Sequence, residues 1–98
     1  MKIVCVVVED LNTLYMLHRM HCMLFHTRKA TRNNIILADG TPVIYLTPKQ
    51  FERWNKGQTY MFLESYIAGK DCFYHSDRRI SRKELAELFN GSGEIIQQ

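Results

Sequence analysis

"NNIILADGTPVIYL", residues 33 to 46, sets two apolar runs on either side of Asp39-Gly40. Asp-Gly supplies the backbone conformations of a tight turn, so the stretch reads as a β-hairpin. Upstream, "KIVCVVV" (Lys2 to Val8) is β-branched and almost continuously apolar, as in a strand covered on both faces. Glu9 and Asp10 close that run, and Asp10 or Asn12 caps a helix predicted to reach about His26. Downstream, "TPKQ" offers Thr47 as N-cap, Pro48 at the first helical position and Gln50 to complete a capping box. A short helix from Pro48 to Asn55 should stop at Gly57.

The second half is less regular. "TYMFLESYIAG" carries both helical and alternating spacing; the helical reading is preferred for residues 59–68. "DCFYH" (71–75) reads as a short strand, and "SRKE" is a second capping box, Ser81 to Glu84, opening a helix that ends at Gly91. Together these elements predict one α+β domain over residues 1–98. It would hold an N-terminal strand, a hairpin, one long apolar helix and two or three short helices.

Composition agrees with a globular chain: 46% of the 98 residues are hydrophobic and 23% charged. The N-terminal apolar run is too short for a signal peptide and far short of the ~20 residues that span a membrane, so a cytoplasmic protein is expected. Cys5, Cys22 and Cys72 are odd in number and widely spaced, which points to reduced thiols rather than a disulfide scaffold. Net charge is +3, concentrated by an absence of carboxylates between Asp10 and Asp39. In that interval the basic segment 26–33 places Arg28, Lys29 and Arg32 where they can meet phosphates or an acidic protein. It reads as a polar connection between helix and hairpin.

"HRMHCMLFH" (18–26) puts three histidines and a cysteine in nine positions. On a helical wheel Leu11, Leu14, Tyr15, His18, His21, Cys22 and Phe25 share one arc, with Leu17, Met20 and Leu24 beside it. Met16 and Met23 sit on the remaining arc. A helix apolar over more than half its surface is buried on several sides. Either it lies between the sheet and the later helices, or it contacts a second copy or a partner through its methionines. A zinc site would have to join His18 and Cys22 to Cys72 and His75, whose spacings are poor for a tetrahedral centre. Histidines and cysteines buried in a core account for the same residues, so no cofactor or metal is expected. A Cys–His nucleophile is disfavoured because Cys22 lies among apolar neighbours. No phosphate-loop, dinucleotide or zincin motif is present. Among the later aromatics, Trp54 and Tyr66 are candidate surface anchors.

"ADGTPVIYLTPKQFERW" and "RRISRKELAELF" resemble two segments of the winged-helix DNA-binding domains of response regulators. They cover under a third of the chain and stand farther apart than in that family. Its recognition helix and wing have no counterpart here, so the resemblance assigns no residue a role. The sequence therefore leads to a non-catalytic regulatory or inhibitory protein that binds a protein partner, as a homodimer through the helix from Leu11 to His26. The partner contacts would be Met16, Met23, Trp54 and Tyr66. The alternative is a nucleic-acid-binding regulator using segment 26–33.

Overall fold

The computed structural model describes residues 3–25, 27–75 and 77–91. Six strands form one mixed sheet: β1 (Val4–Val7), β2 (Thr27–Ala30), β3 (Asn34–Leu37), β4 (Pro42–Leu46), β5 (Cys72–His75) and β6 (Arg78–Ile80). Three helices accompany them: α1 (Leu11–Leu24), α2 (Pro48–Gly57) and α3 (Arg82–Gly91). The fold class is α+β, as the sequence implies.

Strand order is β2-β3-β4-β1-β5-β6, with β1 parallel to β4 and every other pairing antiparallel. Placing β1 at the centre explains its composition, since all four of its residues are fully buried. Val4, Val6 and Val8 face one core with Leu14 of α1 and Leu85 and Phe89 of α3. Cys5 and Val7 face a second core with Phe51 of α2, Phe62 and Tyr74. The domain is thus three-layered: α1 and α3 on one face, α2 and the chain after it on the other.

The hairpin expectation is met with one adjustment. Gly40 alone at the turn has positive φ (93°), while Asp39 accepts a hydrogen bond from the Thr41 N–H at Oδ1 (2.9 Å). Gly40 N–H also donates to the Leu37 carbonyl (2.8 Å). Both capping boxes form, at Thr47/Gln50 and at Ser81/Glu84.

Three expectations fail. The basic segment is not a loop throughout: Thr27–Ala30 is the outer strand β2, with an irregularity between Thr27 and Lys29. An edge strand tolerates charged residues because one side of it faces water. Residues 59–68 are not helical. Thr59 and Tyr60 have φ of 56° and 55°, incompatible with continuing a right-handed helix. Asn55 holds that course. Its Nδ2 donates to the Phe62 carbonyl (2.8 Å), its Oδ1 accepts from the Phe62 N–H (2.9 Å), and its own carbonyl accepts from Tyr60 N–H (2.7 Å). Phe62 is thereby drawn into the core beside Phe51 and Tyr74. Last, α1 is not enclosed between the sheet and the later helices: only Leu14 and His21 are buried, and its outward face is open in the single chain.

Candidate functional site

α1 begins where expected. Asp10 Oδ2 accepts from both the N–H and the hydroxyl of Thr13, each at 2.9 Å. Those bonds hold the Asp10 carboxyl below the usual carboxylate range. The carboxylate beside β1 is therefore a helix cap.

The inward face of α1 consumes the histidine cluster. His21 Nδ1 and the Tyr45 hydroxyl share a 2.6 Å hydrogen bond inside the core. Phe89 of α3 lies 4.6 Å from the His21 ring, centroid to centroid. Burial, reinforced by the charges of His18 and Arg82, lowers the His21 pKa to about 4, so the ring is neutral near pH 7. His18 Nε2–H donates to the Asn34 carbonyl (3.1 Å), and its ring meets Tyr45 edge-on at 5.0 Å. Cys22 packs against the same core, and burial pushes its thiol up, away from thiolate reactivity. His26 lies outside the described residues.

The four residues of the possible zinc set are not brought together. Cys72 belongs to the α2-side core, whereas Cys22 packs on the α1 side. Alternation along β5 sends Cys72 and His75, three residues apart, to opposite faces of the sheet. His75 instead lines a shallow pocket with Glu84 and Glu87. Among the described residues, no three His, Cys, Asp or Glu side chains are grouped to hold a metal ion.

The outward face of α1 is different. Met16 is 60% exposed, Met20 47% and Met23 70%, with Leu24 beside them at 44%. The three methionines lie on the far side of the wheel from Leu14, with Leu24 flanking them, so the packing that seats α1 on the sheet leaves them out. Met20 belongs with Met16 and Met23, although the helical wheel sets it on a neighbouring arc. A signal for this grouping is present in the sequence: Thr13, Met16, Met20 and Met23 follow a 3-4-3 spacing, the seam of one helix against another.

The basic residues follow α1 in the chain but do not line this surface: Ile36, the partner of Lys29, faces away from the α1-side core that holds Ile35 and Leu37. Lys29 is exposed and pairs with Ile36 across the sheet. Arg28 is partly committed, its Nη2 donating to the Ala38 carbonyl of the hairpin turn (3.1 Å). Arg32 lies over the Tyr15 ring, 5.7 Å from its centroid. Among the described residues, none of these three cations takes part in a salt bridge.

Across the sheet, Trp54 and Tyr66 are half-buried against the α2-side core; the Trp54 ring is 5.9 Å from Phe62. Tyr66, with Phe51, Asn55 and Phe62 among others, lines a groove of about 450 Å³ between α2 and the following loop; Trp54 does not line it. The residues displayed at its rim are Tyr60 and Leu63, which the sequence alone does not single out. No described helix is long and apolar enough to cross a membrane.

Compared with known protein families, with curated proteins and with solved structures, the chain matches none.

Proposed function

We propose that this chain is a small, non-catalytic regulatory or inhibitory protein that acts by binding another protein through the outward face of α1. The observation that carries the reading is the exposed row Met16, Met20 and Met23 with Leu24. Flexible, polarisable methionines in a row are suited to adaptable protein contacts, and contiguous exposed apolar surface marks interaction sites. The exposed cations Arg28, Lys29 and Arg32 would speed the encounter with an acidic partner by long-range attraction. The residues with catalytic potential support the same reading: His21 is held neutral by burial, and the Cys22 thiol is pushed up. The setting we propose is the cytoplasm, with Cys5, Cys22 and Cys72 as free thiols.

The test is the double variant Met16→Glu/Met23→Glu. Both side chains are exposed, so far-UV circular dichroism and thermal stability should match wild type, while affinity capture from source cells should lose the partner. Identical captured proteins for wild type and variant would refute the reading. The second reading, nucleic-acid binding through segment 26–33, draws on the exposure of Arg28, Lys29 and Arg32. A strongly salt-dependent gel shift would favour it.

A further inference from the structure

We infer that the hollow where β1 and β4 end is a binding site for a small organic phosphate, with Arg32 as the anchor of its charge. This site lies apart from the outward face of α1 and does not depend on what that face binds.

The strand order creates the hollow. β1 and β4 are the parallel pair inside the sheet and end side by side, the Val8 N–H donating to the Leu46 carbonyl (3.0 Å). From there the chain leaves in two directions: β1 runs into α1 on one face, and β4 into α2 on the other. Parallel neighbours whose connections leave on opposite faces open a crevice beyond their carboxyl ends, where open sheets take up ligands. In this chain the crevice is a hollow of about 360 Å³ on the α1 side. Leu11, Leu14 and Tyr15 of α1 form one wall and Tyr45 of β4 another. Arg32, Asn33 and Gln50 complete it. Asn33 is drawn in because its carbonyl accepts from the Tyr45 N–H (2.9 Å).

Charge selects an anion. The groove beside α2 carries Glu52 and Glu64, the pocket beside His75 carries Glu84 and Glu87, and the hollow beside Cys72 carries Asp71. Among the described residues, no carboxylate lines the crevice. The two acids after β1 are directed elsewhere. Asp10 is bonded to Thr13, on the far side of α1 from Leu11 and Leu14, and the charge of Glu9 acts on Tyr66, which packs on the α2-side core. The helix ends are not the donors, because Asp10 and Thr47 already cap them.

Side chains supply the donors instead. The Arg32 guanidinium is held over the Tyr15 ring, 5.7 Å from its centroid, and takes part in no salt bridge among the described residues. Gln50 commits its Oε1 to the Thr47 N–H (3.0 Å), which leaves its Nε2 to donate. With the Asn33 amide, these groups can meet several oxygens of one ligand, which suits a phosphate better than a carboxylate. Leu11, Leu14 and Tyr15 leave an apolar wall for the organic part.

The test is an amide NMR titration of isotope-labelled protein with phenyl phosphate, inorganic phosphate and benzoate, at neutral pH and fixed ionic strength. Phenyl phosphate should shift Leu14, Tyr15, Asn33 and Tyr45 saturably, at roughly tenfold lower concentration than either other probe. Arg32→Gln, at an exposed position, should keep the wild-type spectrum away from the hollow and weaken binding about tenfold or more. Arg28→Gln removes the same charge from the neighbouring strand and should leave binding within about twofold. The absence of saturable shifts, or shifts that map elsewhere, would overturn the inference. So would equal losses from Arg28→Gln and Arg32→Gln, which would mean that segment 26–33 attracts anions as a whole, as a nucleic-acid contact does. Inorganic phosphate or benzoate binding as tightly as phenyl phosphate would also overturn it, leaving an adventitious ion only.

Discussion

His21 makes the stability of this protein depend on pH in a way that can be worked out from its surroundings. The ring is buried between α1, Tyr45 and Phe89, and its pKa falls from 6.5 to about 4. In the unfolded chain the imidazole takes up a proton as pH drops below 6.5; in the folded chain it resists until about 4. The stabilisation from keeping it neutral is full above 6.5 and is lost progressively as pH falls toward 4. Each pH unit between those two values is worth ~1.4 kcal/mol, so the total is roughly 3 kcal/mol, a large part of the margin of a small domain. His21→Gln isolates the effect, since an amide can still hydrogen-bond the Tyr45 hydroxyl and does not titrate. Urea unfolding followed by Trp54 fluorescence and far-UV circular dichroism, repeated from neutral pH to about 4.5, measures it. Every other titrating group contributes to both proteins, so the difference in pH slope belongs to His21. Wild type should lose stability more steeply than the variant below 6.5. Parallel stability-versus-pH curves would mean that His21 is not held neutral by burial, and the account of the α1–sheet packing would fail with it.

Two further outcomes follow from the same structure. Asn55→Ala removes both hydrogen bonds to the main chain of Phe62 and leaves buried donor and acceptor groups unpaired. It should cost about 2–4 kcal/mol in urea unfolding, whereas a cost below ~0.5 kcal/mol, the range of ordinary surface changes, would show that the amide does not hold the loop. Replacing Arg28, Lys29 and Arg32 together with alanine should slow association with an acidic protein partner by roughly tenfold at low salt. The effect should fade as salt is raised, and stopped-flow binding across a salt series would show it. An unchanged rate would remove these cations from any steering role.

Much of the architecture can be traced to local signals. The β-branched run of β1 predicts a strand covered on both sides, and β1 lies at the centre of the sheet. Asp10, Thr47 and Ser81 start their helices as capping chemistry dictates. What is hidden from a local reading depends on partners distant in sequence. β2 (Thr27–Ala30) and β6 (Arg78–Ile80) are short edge strands rich in arginine and lysine; only their pairing with β3 and β5 makes them strands. Residues 59–68 carry helical spacing, but burying Phe62 under the Asn55 amide outweighs it. At the candidate site, Met16 and Met23 are open, as the helical wheel allows. The fate of His21 is not legible in the sequence, because Tyr45, its partner, lies 24 residues away.

The claim that the outward face of α1 is a protein contact is tested most directly by oxidative footprinting of its methionines. Sulfoxide formation at Met16, Met20 and Met23 would be followed by mass spectrometry in dilute purified protein, in concentrated protein and in extracts of source cells. Met61, half-buried on the opposite side of the sheet, serves as the internal reference. The account predicts rapid oxidation of the three α1 methionines when the protein is dilute. It predicts protection of all three, relative to Met61, once a second copy or a partner is present. Equal rates under all three conditions would leave that face open to water throughout and contradict it.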